Sequence, residues 1–243
     1  MGSLLQAEVI VVGTGPGGAT VARELARAGR KVLLLERGRP ERHRPLYGTH
    51  LGALRYTERG GLFFTPEGIQ VVIPSMVGGA TGMFAGCAAP PPPWLHEKYG
   101  IDLRLEVAET VEELGIAPLP LEQRGAASTR LAEAARALGY AVYPQPKFIR
   151  PDRASRFHCG AHCLLGCRCG AKWSAAEFVE EAVQAGALLL TQAHVERVLI
   201  EDGRAVGVGG PPGRPPLKGP AAPKGQAAGR GGPPPQPQAA PQQ

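Results

Sequence analysis

The chain has 243 residues, 43% of them hydrophobic and 20% charged, a composition that supports one large globular domain or two small ones. Its net charge of +6 falls to +2 once Arg214, Lys218, Lys224 and Arg230 of the Gly-, Pro-, Ala- and Gln-rich stretch 209–243 are set aside. The remaining basic residues form no periodic face interleaved with aromatics, which argues against nucleic acid as a partner. No run of about twenty apolar residues is present to cross a membrane as a transmembrane segment.

The first informative segment is "AEVIVVGTGPGGATVARELARAGRKVLLLERG". Val9 to Val12 form a β-branched apolar run of the kind expected for a parallel strand buried on both faces. Gly13, Gly15 and Gly18 follow in GxGxxG spacing, with Pro16 and Gly17 between them. Ala22, Leu25 and Ala26 then share a helical face, Gly29 stops the helix, and Val32 to Leu35 run into Glu36. This order predicts a dinucleotide site. Gly13 permits the turn, Gly15 admits a pyrophosphate, Gly18 lets helix and strand pack closely, and the helix N-terminus faces the anion. Glu36 can accept hydrogen bonds from an adenosine ribose and disfavours a 2'-phosphate, with Arg37 beside it. The motif alone does not separate FAD from NAD.

Residues 37–100 lack the regular strand and helix alternation of a simple nicotinamide dehydrogenase. They contain "SMVGGATGMFAGCAAPPPPW", in which Gly78 and Gly79, followed by Thr81, form a second glycine-rich loop suited either to a ligand or to a plain turn. Amphipathic packing helices are expected over "RLEVAETVEELG", with Val107, Ala108, Val111 and Leu114 on one face, and over "TRLAEAARALG", with Leu131, Ala135 and Leu138. Glu106, Glu109, Glu112 and Glu113 read as a solvated face.

"HCGAHCLLGCRCGAKW" places Cys159, Cys163, Cys167 and Cys169 in C-x3-C-x3-C-x-C spacing, flanked by His158 and His162. Three readings stay open: an iron–sulfur or other metal site, a structural cysteine pair, or incidental buried thiols. Cys87 reads as a small buried hydrophobe. Five cysteines, an odd number with four clustered, fit a reducing, cytoplasmic setting, and the short N-terminal apolar stretch does not read as a signal peptide.

"WSAAEFVEEAVQAGA" predicts a helix with a Ser174/Glu177 capping box that buries Phe178, Ala182 and Val183. "LLLTQAHVERVLIEDGRAVGV" predicts strands on either side of an Asp202-Gly203 hairpin turn, with His194 and Glu196 as polar positions of the strand "AHVERVLI". The stretch 209–243 contains one large apolar residue, Leu217, and is expected to be disordered.

The order of "VIVVGTGPGGATVARELARAGRKVLLLERG", "VGGATGMFAG", "FHCGAHCLLGCRCGAKW" and "GALLLTQAHVERVLIEDGRAVGV" resembles the N-terminal part of the glucose-methanol-choline (GMC) oxidoreductases. These are FAD-dependent enzymes that oxidise alcohols, and the likeness is to the branch that carries a cysteine cluster before "GAK". It covers about residues 7–208. It implies an α/β, FAD/NAD(P)-binding Rossmann-like domain over 1–208, with inserted helical and irregular segments at about 45–172, and a separate tail. It assigns FAD to Gly13, Gly15, Pro16, Gly17, Gly18, Glu36, Arg37, Gly78, Gly79, Thr81 and Val195, the last by backbone contact with adenine. It implies an alcohol substrate, an electron-acceptor protein and, on Cys159, Cys163, Cys167 and Cys169, an iron–sulfur cluster that passes electrons outward.

The sequence departs from the family pattern at Ala80 and Phe84 in the second glycine motif, at Arg168 where a Pro is usual, and at Cys169 in place of a small residue. None of the six histidines lies in the family's catalytic motif, so no catalytic residue is assigned. The switch to Gly, Pro, Ala and Gln near 209 is expected to mark a truncated or frameshifted reading frame. Other readings are a non-catalytic flavin- or nucleotide-binding fragment or an interaction module. An NAD-dependent dehydrogenase or a disulfide reductase fits less well, since no C-x4-C pair follows the first βαβ unit.

Overall fold

The computed structural model describes residues 5–157 and 162–211. In chain order the elements are β1 (Val9–Val12), α1 (Pro16–Arg27), β2 (Val32–Glu36), α2 (His50–Tyr56), β3 (Phe63–Phe64), β4 (Gln70–Val71), α3 (Trp94–Tyr99), α4 (Arg104–Leu114), β5 (Ala117–Pro118), α5 (Ala126–Ala137), β6 (Pro146–Lys147), α6 (Ala176–Gln184), β7 (Leu188–Thr191), β8 (Arg197–Glu201) and β9 (Arg204–Gly209). The mixed α/β architecture and its parallel sheet agree with the expected fold class.

The centre is a parallel sheet in the order β1-β2-β7, with Val11 opposite Leu34 and Leu34 opposite Leu189. β2 lies between two neighbours and all five of its residues are buried. Among the described residues β1 has a neighbour on one side only, and Val12 is 54% exposed, so the expected burial of β1 on both faces is not met. A β-branched run signals a strand, but it does not say whether that strand sits at the centre or the edge of its sheet.

Helices α1 and α6 pack on each other over the sheet through small side chains: Ala19, Ala22 and Ala26 of α1 meet the layer formed by Ala175, Val179 and Ala182. Phe178 and Trp173 complete this core, with their rings edge to face at 5.0 Å between centroids. The parallel return of β7 beside β2 and the hairpin of β8 and β9 about Asp202-Gly203 both agree with the sequence.

Three local expectations change. The Ser174/Glu177 capping box does not form: α6 starts at Ala176, no side chain caps it, and Ser174 accepts the Glu177 N–H through its carbonyl. The Glu177 carboxylate is instead held by Arg42 at 3.2 Å and Arg153 at 3.2 Å. Two guanidinium groups outweigh one backbone N–H as partners for a poorly exposed carboxylate.

α4 and α5 form, and α4 buries Leu114, but Leu131 and Leu138 of α5 are 72% and 77% exposed. The apolar stripe of α5 has no covering surface among the described residues. β8 begins at Arg197, so His194, Val195 and Glu196 precede the strand. Gly209 ends β9, just past the expected boundary at 208, and residues 212–243 of the expected tail lie outside the described residues.

Candidate functional site

The carboxyl ends of β1, β2 and β7 open on one side of the sheet, the usual location of ligand crevices in parallel α/β folds. Gly13 leaves β1 with φ +91, a conformation that L side chains rarely adopt, and its N–H donates to the Leu35 carbonyl. Gly18 is fixed by packing: a Cβ there would lie 2.2 Å from the Gly13 carbonyl oxygen and 3.3 Å from a Val11 methyl. Around Gly13, Gly15 and Gly17 a Cβ would meet nothing within 4 Å. The N-cap of α1 is Gly15, with Pro16 following in the first turn, no capping side chain and no acidic residue there. The first N–H groups of a helix have no intrahelical acceptors, so this end carries unsatisfied donors and the positive pole of the helix.

The second glycine loop is seated directly on the first. Thr14, fully buried, donates its hydroxyl and its N–H to the same Glu36 oxygen, the latter at 2.9 Å. The Thr14 hydroxyl oxygen also accepts the Gly78 N–H at 3.1 Å. The other Glu36 oxygen accepts the Gly38 N–H at 2.7 Å. Glu36, only 6% exposed, thereby locks the exits of β1 and β2 together. An ionised carboxylate offers about four acceptor positions, so three bonds leave room for one further donor.

Gly78 has φ +92, and a Cβ on it would lie 2.9 Å from the Ala176 nitrogen. The Thr81 hydroxyl donates to the Gly78 carbonyl at 2.6 Å and accepts the Ala175 N–H at 2.8 Å. Thus Gly13, Gly15, Pro16, Gly17, Gly18, Glu36, Gly78, Gly79 and Thr81 converge around the start of α1. Arg37 is turned outward into an ion pair with Glu58. Val195 follows a turn in which the Ala193 N–H donates to the Glu36 carbonyl at 2.9 Å and the Gln192 N–H to the Gly38 carbonyl at 3.1 Å, which brings that segment to the same end of the sheet.

Thr14 and Lys172 are the structural residues that the sequence reading misses. Lys172, 2% exposed, directs its ammonium to the carbonyls of Thr81 at 3.2 Å, Gly82 at 3.1 Å, Phe84 at 2.6 Å and Cys163 at 3.3 Å. The same nitrogen lies 4.4 Å from the centroid of the Phe84 ring. A charge so buried is tolerable only when its protons are taken up in this way. The one visible signal is a lysine between Ala171 and Trp173, in a stretch otherwise suited to burial.

Tyr47, also buried, donates its hydroxyl to the Gly82 carbonyl at 3.2 Å, and burial pushes its phenol up to about 12. Cys163 is buried, and Cys167 and Cys169 are half-buried with their sulfurs 3.6 Å apart. Cys87 is half-buried and accepts a hydrogen bond from Lys147 at 3.0 Å, rather than sitting in the core. Cys159 and the flanking His158 lie outside the described residues. Among the described residues no three His, Cys, Asp or Glu side chains converge as a metal site.

A family model described as an NAD(P)-binding Rossmann-like domain matches residues 11–40, and one described as GMC oxidoreductase matches residues 58–212. An uncharacterized GMC-type oxidoreductase of Mycobacterium tuberculosis is 36% identical over 225 residues, covering 85% of this chain and 34% of that protein. The long-chain-alcohol oxidase FAO3 of Arabidopsis thaliana is 30% identical over 212 residues, covering 81% of this chain and 27% of that protein. The chain therefore spans about a third or less of the length of these relatives.

Pyridoxine 4-oxidase from Mesorbium loti shares the fold with a TM-score of 0.58 at 15% identity, covering 84% of this chain and 45% of that one. Formate oxidase does so with a TM-score of 0.53 at 15% identity, covering 80% and 40%. The glycine loop and the second loop seated on it lie in a chain whose greater part matches one family description, and the chain belongs to the GMC oxidoreductase family.

Proposed function

We propose that this chain is the FAD-binding portion of an oxidoreductase that acts on the CH–OH group of an alcohol. The observation that carries the reading is the hydroxyl of Thr14, which joins the GxGxxG loop, Glu36 and the Gly78–Thr81 loop into one cradle at the uncapped end of α1.

The residues fit the cofactor. Open space over Gly13, Gly15 and Gly17, with the unsatisfied first-turn donors of α1, suits a pyrophosphate. The spare acceptor capacity of Glu36 suits a ribose hydroxyl and repels a 2'-phosphate. Bound FAD supplies the acceptor for the hydride that leaves the carbinol carbon. Gly78, Gly79 and Thr81 hold the second loop against the first, so the two sides of the cradle keep a fixed spacing. Arg37 borders the ribose site and Val195 faces the adenine. Lys172 keeps Thr81 to Phe84 in place from behind. No residue of the chain is assigned to remove the hydroxyl proton.

Residues 1–208 form the cofactor domain in this reading. An alcohol as substrate is supported by the alcohol oxidase relatives, and an acceptor protein is the partner implied by the family branch. No helix among the described residues is long and apolar enough to cross a membrane, and a cytoplasmic location is supported by the odd number and clustering of the cysteines. The flavin is the cofactor of the proposal; an iron–sulfur cluster on Cys159, Cys163, Cys167 and Cys169 is not part of it.

Titration of the full chain with FAD, followed by quenching of flavin fluorescence, tests it. Saturable binding that NAD does not displace is expected. Absence of FAD binding, or preferential binding of NAD, overturns it.

A further inference from the structure

Cys167 and Cys169 sit on either side of the exposed Arg168, and their sulfurs are 3.6 Å apart. Both are half-buried. Closing to the length of a disulfide, about 2.05 Å, requires the two sulfurs to move toward each other.

That shift would be felt elsewhere, because Cys167 is keyed to the cofactor loop by two routes. In the first, the Lys172 N–H donates to the Cys167 sulfur at 3.3 Å, and the Lys172 ammonium holds the carbonyls of Thr81, Gly82 and Phe84. In the second, Gly166, next to Cys167, packs against the Tyr47 ring, whose hydroxyl donates to the Gly82 carbonyl at 3.2 Å. Packing leaves little slack between these parts. A Cβ on Gly166 would lie 2.8 Å from the Tyr47 ring, and one on Gly48 would lie 2.2 Å from the Arg168 side chain. Thr81 in turn binds the Gly78 carbonyl, and Gly78 binds Thr14.

We propose that Cys167 and Cys169 form a thiol–disulfide site that exchanges with small disulfides of the glutathione class, and that closing it draws Cys167 off Lys172 and loosens the Gly78–Gly82 loop. One cysteine, as thiolate, attacks a sulfur of the incoming disulfide, breaking its S–S bond and releasing one small thiol. The second cysteine attacks the mixed disulfide, forms the Cys167–Cys169 bond and releases the other small thiol. The two cysteines together give up two protons and two electrons, and the incoming disulfide is reduced to two thiols. The sulfur chemistry stands without the flavin reading; its consequence for FAD rests on that reading.

The experiment equilibrates the full chain in glutathione buffers of graded oxidation, quenches with acid, alkylates and digests with trypsin, which cuts after Arg168 and so separates the two cysteines. In oxidising buffer, peptides 157–168 and 169–172 should be joined, with fragment ions placing the bond on Cys167. A bond to Cys159 or Cys163, or only mixed glutathione adducts, overturns the pairing.

Hydrogen exchange on the same samples reads the link to the loop. Exchange over Gly78–Gly82 should quicken several-fold on oxidation in the wild type and stay unchanged in Cys169→Ala. Equal exchange in both states of the wild type overturns the coupling. Oxidation should also weaken FAD binding. If FAD binds in neither state while exchange still responds, the flavin reading falls and the thiol–disulfide site stands.

Discussion

A Cβ placed on Gly79 would lie 3.0 Å from the Cα of Gly15, so the two glycine loops meet backbone to backbone with no room for a side chain between them. Gly79→Ala must push the loops apart and must also hold a side chain at φ +55. FAD binding should weaken about tenfold, or about 1.4 kcal/mol, as read by fluorescence titration. Wild-type affinity in the variant would show that the loops need not touch.

Thr14→Val keeps the shape of the side chain but removes the hydroxyl shared by Glu36 and Gly78. A buried N–H and a buried carboxylate then each lose a partner, and urea denaturation should report a loss of about 1–3 kcal/mol. Thr14→Ser, which retains the hydroxyl, should recover most of that loss. Equal destabilisation by the two variants would show that the hydroxyl alone does not account for the loss.

Gly18→Ala sets a methyl against the Gly13 carbonyl, a backbone atom that cannot rotate away. Forcing α1 off β1 should cost about 1–3 kcal/mol and lower the thermal midpoint. An unchanged midpoint would mean that helix and strand separate without strain.

Tyr47 predicts a particular alkaline response. Its phenol is raised, chiefly by burial, from 10.0 to about 12, so between those values the folded state retains a proton that the unfolded state has lost. Stability from this group is complete below pH 10.0 and is lost as pH rises toward about 12. The loss is on the order of 3 kcal/mol. Denaturation curves for Tyr47→Phe should be flatter with pH over this window than those of the wild type. A wild-type slope in the variant would assign the response to other groups.

Lys172→Met replaces the buried ammonium with an apolar chain of similar length. Four carbonyls lose their donor. The expected cost is about 3 kcal/mol or more in urea, together with faster hydrogen exchange over Thr81 to Phe84. A variant as stable as the wild type would show that the ammonium is dispensable.

The parts of this protein that can be read from sequence are those whose cause is local. Gly13 turns because its φ is positive, Gly18 because its neighbours leave no space, and Asp202-Gly203 because two residues close a hairpin by themselves. What escapes is set by distant partners. Nothing beside Thr14 announces that Gly78 will come to its hydroxyl. Ser174 and Glu177 have capping-box spacing, yet Arg42 and Arg153 arrive from other segments and take the carboxylate. Leu131 and Leu138 have core periodicity, but periodicity records a stripe and not what covers it. Val12 is apolar for the same reason as Leu34, and only the strand order distinguishes their surroundings.

The strand order also bears on how the protein is made. β1, α1 and β2 lie together in residues 9–36, but the third strand and the helix that covers α1 come only with residues 176–191. Until residues 176–191 are made, the glycine loop stands with one edge of β2 unpaired and the alanine face of α1 bare. Strand pairings such as Leu34 with Leu189 close late and over long separations, which slows folding. Any ribosome-bound chaperone that protects this sheet has to act between the appearance of Glu36 and that of Thr191.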